Sequence, residues 1–493
     1  MAMTQSTANR EGSRPILGYM PEDTPPVGAM LSLGFQQVLT MFPATVLVAL
    51  LTKFDVGVTL LASGLGTIVA LLVSRRRIPM YYGSSFSYIA VVITVMSLYD
   101  TECFASAASY CAQGVRIVQV GIIGTAILEI LIGLLIMRVG KAALDKVLPP
   151  VITGCVAIVI GIALAGAALS QAGGSAVGAP AEEAWRFWGV ALITLVATIV
   201  FSVYLQGKGL LGMLPILLGA IVGYVVAIPF GLISFESVAA AERLSWLKYF
   251  SDVGAAPFFR VPAITLPAFE NPAAWGVIFS IALIAIATIP ESTAHLYQMS
   301  LYIDALAKEL KRAPLEIKKL IGLNLVADGS DDIVVGMLGG CAGTNYGENN
   351  SLMAITRNYS VPVLIAAGVI AILLGFIGTL AAIVNTIPVA VTGGLAIYLF
   401  GVIGMQGIAL IQSEKVNLFE PRQLAVGAVI LVTGIGGAMA LPNGLFPFKI
   451  AGVFPDGIPA IVFAAIVGIL LNLLFLVLPP SMFGVKEREN LND

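Results

Sequence analysis

The sequence predicts an all-α polytopic membrane protein of fourteen transmembrane segments. It arranges them as two inverted seven-segment repeats, with a short antiparallel strand pair in the broken segments three and ten. Three observations carry this. Of 493 residues, 58% are hydrophobic and 11% charged, and mean hydropathy is +0.97, whereas soluble domains are nearer a quarter charged. Apolar runs of roughly 20 residues, the length that spans a bilayer, recur along the chain. A motif repeats at an offset of 239 residues: Pro149-x-x-x-Thr153-Gly154-x-x-Ala157-Ile158 returns as Pro388-x-x-x-Thr392-Gly393-x-x-Ala396-Ile397.

In chain order, residues 1–26 are polar and Pro-rich and read as a cytosolic tail rather than a cleavable signal. Spans follow near 28–51, 57–74, 84–97, 114–137, 147–169, 187–205, 209–230, 273–300, 318–340, 342–356, 360–385, 388–410, 423–441 and 459–479, before a second cytosolic tail at 481–493. The segments at 84–97, 318–340 and 342–356 are short or interrupted by Gly and polar residues. The stretch about 230–272 is the longest that does not span.

With the N-terminus inside, 19 of the 26 Lys and Arg residues fall on the inner side, as the positive-inside rule requires. Both termini are then cytosolic, and Cys103 and Cys111 share an outer loop, where a disulfide and two free thiols are both open. The copies of the repeat motif begin spans five and twelve, seven apart, so the halves run in opposite directions. Net charge is −2, which gives no basis for nucleic-acid binding. No CxxC or other metal spacing occurs, and no cofactor motif.

Segment three opens with Gly83-Ser84-Ser85-Phe86-Ser87-Tyr88, and segment ten with Gly343-Thr344-Asn345-Tyr346-Gly347-Glu348-Asn349. Backbone this rich in small and polar residues does not make an ordinary spanning helix. At membrane depth it is tolerated where it is buried in protein or lines a cavity. The two extended stretches can pair, each continuing as a half-helix whose N-terminus favours acceptor groups. Glu348 is a carboxylate inside apolar sequence, at a cost on the order of 3 kcal/mol, and reads as a substrate contact. The plainer alternatives are a basic partner or a cap on a half-helix starting near Asn349. Phe86 and Tyr346 can stack on a flat ring or simply pack.

Pro290-Glu291-Ser292-Thr293-Ala294-His295 sets Glu291 and the chain's one histidine, His295, on one helix face. Glu291 is expected to anchor substrate and exchange a proton, with His295 tuning it. The alternative is a polar helix end at the interface. Asp328, Asp331 and Asp332 crowd span nine. Asp328 suits an internal hydrogen-bonding and proton-coupling role, and Asp331 and Asp332 are expected to face water or a basic partner. Glu129 in span four has no assignment.

Together, Met41-Phe42-Pro43-Ala44-Thr45-Val46, Gly83-Ser84-Ser85-Phe86, Glu291…His295, Asp328-Gly329 and Tyr346-Gly347-Glu348-Asn349…Met353-Ala354-Ile355-Thr356-Arg357 resemble the nucleobase–ascorbate transporter family, especially its bacterial uracil permease branch, from about 28 to 480. The resemblance implies a core domain of 27–140 and 273–386 and a gate domain of 141–272 and 387–480. It further implies base-edge contacts at Glu291 and Glu348, ring packing at Phe86, and backbone bonds near Ala44 and Gly347. Proton coupling would be assisted at His295, and Asn349, Thr356 and Arg357 belong to the signature. A homodimer in the inner membrane is implied as well.

Two positions depart from the family pattern. Ser351 stands where a Gly is usual, which bears on substrate preference. Gln37 follows Gln36 where a His is usual, which implies one fewer polar partner in the core. Glu348 favours uracil-type substrates over xanthine, since purine carriers tend to place Gln there. The expected function is therefore proton-coupled uptake of a pyrimidine base. Xanthine is the nearer alternative and anion transport on the same fold the farther one. An enzyme is disfavoured, because one histidine without a ligand cluster supplies no catalytic set.

Overall fold

The computed structural model describes residues 18–106, 110–140, 146–205, 208, 211–212, 214–233, 258–450, 454 and 457–478. The expectations for both tails fall mostly, and that for the 230–272 stretch largely, outside the described residues.

Helices α1 (Val27–Thr52) and α2 (Val56–Val73) lead to strand β1 (Tyr82–Ser84) and helix α3 (Ile89–Tyr99). Then come α4 (Ala112–Val139), α5 (Pro150–Ala163, continued as Ala165–Ala172), α6 (Ala184–Tyr204) and α7 (Pro215–Ala227). The second half runs through α8 (Pro272–Ala282), α9 (Ala285–Glu309), α10 (Ile321–Leu338), strand β2 (Gly343–Asn345) and α11 (Gly347–Thr356). It closes with α12 (Val361–Gly375), α13 (Gly378–Asn385), α14 (Val389–Ser413), α15 (Pro421–Ala440, with a π turn at Val432–Gly436) and α16 (Ala460–Val477).

Among the described residues, eight helices are long and apolar enough to cross a membrane. Several others are shorter because the chain breaks inside the run. The expected single span 273–300 is two helices parted at Leu283-Ile284, and 360–385 is likewise two. Proline starts many of these helices, at Pro150, Pro215, Pro272 and Pro421, where its missing N–H costs nothing. Pro43 and Pro290 instead lie inside α1 and α9, where proline withdraws a helical bond. Leu131, Leu135, Val203 and Leu470 stay exposed on the outer faces, as lipid contact requires.

The helices pack in two sets. In one, α4 lies along α10 and α8, and α2 along α12 and α10; in the other, α14 lies along α5 and α6, and α15 along α16. Close approach depends on small residues. A Cβ on Gly64 would come within 2.4 Å of the Gly368 carbonyl oxygen, and one on Gly368 within 2.8 Å of that of Gly64.

The strand pair expected in segments three and ten is present. β1 runs antiparallel to β2, with Tyr82 opposite Asn345, Gly83 opposite Thr344 and Ser84 opposite Gly343. Ser85 N–H donates to Ala342 O (2.8 Å) and Tyr346 N–H to Tyr81 O (2.9 Å), which lengthens the ladder. Two-residue strands at Leu445–Phe446 and Ile458–Pro459 form a second pair.

Cys103 and Cys111 form a disulfide, while Cys155 and Cys341 are free and buried. Asp55 caps α2 and pairs with Arg260, whose segment crosses the ends of α2 and α12. At the opposite end, residues 19–23 lie against Arg357–Ser360, with Tyr19 bridged to Asn358 and Arg312 bonded to Glu22 and Asp23.

Candidate functional site

β1 and β2 each end in a turn of helix aimed at one cavity. After β1 the chain enters a 3-10 turn, Phe86–Tyr88, and then α3. Ser85 Oγ accepts from Ser87 N–H at 3.2 Å and caps that turn. After β2 the chain enters α11 directly, and its N-cap Tyr346 offers no side-chain cap. The helix begins at Gly347, two residues before the expected start, so Glu348 sits in its first turn rather than capping it.

The cavity has a volume of about 290 Å³, at the small end for ligand pockets, which begin at roughly 300 Å³. Phe86, Glu291, His295, Tyr346, Gly347 and Glu348 line one wall, with Ser84, Ser85 and Gln298; Leu399, Val402, Ile403 and Gln406 of α14 line the other. A second space of about 440 Å³ shares Glu291, His295, Gln298 and Gln406 and continues past Thr153 to Ser413. The site therefore opens along the seam between α9 and α14.

Most side chains on the first wall are held in place. Glu291 Oε2 accepts from Ser87 Oγ at 3.2 Å. His295 Nδ1 faces two oxygens of Asn345, the carbonyl at 2.8 Å and Oδ1 at 2.9 Å. Two acceptors require Nδ1 to carry the hydrogen, which leaves Nε2 free to meet the cavity. The Asn345 amide is fixed in turn, its Nδ2 donating to Ser292 Oγ at 2.7 Å, as Asn324 Nδ2 also does. A Cβ on Gly347 would come within 2.8 Å of His295 Nε2, so only glycine lets the α11 backbone approach the ring. The Tyr346 hydroxyl donates to Ser84 O at 2.8 Å and meets Thr45 Oγ1 at 3.0 Å, which commits it to joining the two strands.

Of the residues singled out by sequence, Glu291, Glu348, Phe86, Gly347, Tyr346 and His295 line this cavity. Ala44 is buried in α1 and is not among its lining. Asp328 is buried in α10, also away from the lining. Asn349 donates to Gln37 O at 3.0 Å and Gln37 Oε1 at 2.7 Å, so Gln37 is itself a polar partner in the interior. Thr356 Oγ1 donates to Leu352 O at 2.8 Å, and Arg357 pairs with Glu309 at the far end of α11.

Two expectations are corrected. Asp331 and Asp332 face neither water nor a base. Both are fully buried, and among the described residues neither makes an ion pair. α10 is enclosed by α2 and α4, so it has no wet face there. Gln298 and Gln406 were missed. Gln298 extends the face of Glu291 and His295 by one turn, a spacing visible in the sequence. Gln406 carries no such local signal.

The profile of the Permease family of xanthine and uracil permeases matches residues 28–443. A uracil permease of Bacillus caldolyticus is 35% identical over 98% of this chain and 99% of its own length. A uracil permease of Escherichia coli K12 is 30% identical over 92% of each, and a putative pyrimidine permease of the same strain, RutG, is 31% identical over 92% of this chain and 91% of its own. Among solved structures, the murine Slc26a9 anion transporter in its inward-facing state aligns with a TM-score of 0.61 at 12% identity, over 99% of this chain and 76% of that one. The transmembrane domain of the cyanobacterial bicarbonate transporter BicA aligns at 0.51 and 14%, over 93% and 100%. These two share the fold.

Proposed function

This chain belongs to the Permease family of xanthine and uracil permeases, membrane transporters rather than enzymes, and on that premise we propose that it imports a uracil-type pyrimidine base by proton symport across the cytoplasmic (inner) membrane. The observation that carries the reading is that Glu291 and Glu348, 57 residues apart in sequence, face one small cavity beside Phe86. A pyrimidine base is flat and neutral and offers N–H donors and C=O acceptors. The carboxylates accept from its N–H groups. The first N–H groups of α11, without a side-chain cap, donate to its carbonyls. Phe86 covers a ring face.

Fourteen segments in two inverted repeats, both termini cytosolic, are the arrangement we infer. The core is 27–140 with 273–386, and the gate 141–272 with 387–480. In that orientation the space past Ser413 leads to the cytosol, so the state described is inward-open. The proton is taken at Glu291, whose neighbour His295 is oriented by Asn345. Substrate and proton together allow the core to shift against α14, and a homodimer would hold the gates still. Asp328 communicates with Glu291 from within the core, and Asn349, Thr356 and Arg357 anchor α11.

The fold is also that of anion carriers, but two carboxylates in the cavity oppose an anionic cargo. Uptake of labelled base into proteoliposomes under an imposed pH gradient tests the reading. Wild type is expected to accumulate uracil with acid outside, and Glu291→Gln to lose the pH dependence. Retention of full pH-driven accumulation by Glu291→Gln removes the coupling role. Stronger competition by xanthine than by uracil removes the pyrimidine assignment.

A further inference from the structure

The space beyond the base cavity is larger than a bare base needs. The cavity beside Phe86 has a volume of about 290 Å³. The adjoining space has about 440 Å³, inside the range of roughly 300–1,000 Å³ that takes a drug-sized ligand. The two share Glu291, His295, Gln298, Ile403 and Gln406. Phe86, Tyr346, Gly347 and Glu348 line only the first. The second space therefore opens from the side of the first that is remote from α11.

Its own walls are mostly apolar: Ala157 and Ile160 of α5, Pro290 and Ala294 of α9, Ala409 and Leu410 of α14. Three of these six are alanines, with Ala294 and Ala409 exposed and Ala157 half-buried, so short side chains set its width. The residues that line this space alone include no charged group. They bring three hydroxyls, and each is already engaged as a donor. Ser87 Oγ donates to Glu291 Oε2 at 3.2 Å, Thr153 Oγ1 to Pro150 O at 3.2 Å and Ser413 Oγ to Leu410 O at 3.0 Å. Such a lining suits an apolar group and gives a sugar no fresh donor. Of the edges of a uracil ring, only C5–C6 carries neither a donor nor an acceptor. With the polar edges turned toward Glu348, Glu291 and the first N–H groups of α11, C5–C6 is the edge left to face the second space.

We propose that this space is a subsite for an apolar arm on the base: uracils carrying an aromatic or alkyl group at C5 or C6 bind more tightly than uracil and are not carried. The inference rests on the uracil reading of the cavity. Burial of the arm supplies the added affinity. The loss of transport follows from where the walls come from. α5 and α14 pack on one another, whereas α9 packs against α10 and α11. An arm lodged between α9 on one side and α5 and α14 on the other wedges the seam, and opposes the shift that carries the base.

Competition of 5-benzyluracil and 6-benzyluracil against labelled uracil, on the full chain in detergent, reads the subsite. In wild type at least one isomer is expected to bind about tenfold more tightly than uracil. The same isomer should drive no counterflow of labelled uracil from loaded proteoliposomes. Ala409→Phe and Ala157→Phe narrow the space at positions outside the lining of the base cavity. Each should weaken the benzylated base by about tenfold and leave uracil within about twofold. The proposal is overturned if neither isomer binds more tightly than uracil, if the tight isomer drives counterflow, or if both variants bind it as wild type does. Should Ala409→Phe not fold, Ala157→Phe decides alone. Absence of uracil binding in wild type removes the substrate assignment and this inference with it, whereas uracil binding without a gain from the arm removes this inference alone.

Discussion

The two broken segments reach the same cavity in different ways. The first closes on itself: Ser85 caps its own turn, and Phe86 is what it presents to the cavity. The second stays open: α11 starts without a side-chain cap, Gly347 brings its backbone against His295, and Glu348 faces inward. The two broken segments thus differ in what they leave open to the cavity. On the proposed reading, one would supply a surface for a ring face, the other the charged and backbone groups for a ring edge. Satisfied polar groups give shape, and unsatisfied ones give recognition.

The division can be broken by substitution. Glu348→Gln should do the most harm, because a charge-assisted bond contributes about 1.5–3 kcal/mol; uracil uptake should fall by about 100-fold, read as kcat/KM. Gly347→Ala drives a methyl against His295, and overpacking costs about 1–3 kcal/mol, so uptake should fall by about 30-fold with protein levels unchanged. Phe86→Ala removes ring contact of about 0.5–1.5 kcal/mol and should raise KM by about tenfold with little change in kcat. A larger loss from Phe86→Ala than from Glu348→Gln would reverse the assignment.

Ser85→Ala removes a cap of about 1 kcal/mol and should lower Tm by about 2 °C. The smallest effect belongs to a pair outside the membrane. Glu270 has its carboxyl held below the usual carboxylate range by its own backbone N–H and then by Arg116. Its contribution is present above the ordinary carboxylate pKa and lost as pH falls through the lowered one. Glu270→Gln should lower Tm at neutral pH by less than Ser85→Ala does, and the difference from wild type should vanish in acid, measured by thermal shift.

Glu291, Glu348 and the strand pair were legible in the sequence because each breaks a local pattern: a carboxylate in apolar surroundings, or small and polar residues where a span should continue. Gln406 was not, since α14 reads as an ordinary apolar span and only packing across more than 100 residues of chain turns that face toward Glu291. The breaks at Leu283-Ile284 and Phe376-Ile377 were equally hidden, because the residues there are as apolar as the helices they part. The burial of Asp331 and Asp332 was misread for the converse reason. Local polarity suggested water, but helices distant in sequence enclose them.

The β1–β2 ladder joins Gly83 to Thr344, and this has a consequence for biogenesis. A nascent chain emerging from the ribosome must hold its first extended stretch unpaired until more than two hundred further residues have been inserted. A truncation ending before Gly343 would leave the Tyr82–Ser84 backbone without its complement. Such a fragment should be a preferred target for membrane quality control, and co-expression of the missing half should rescue it.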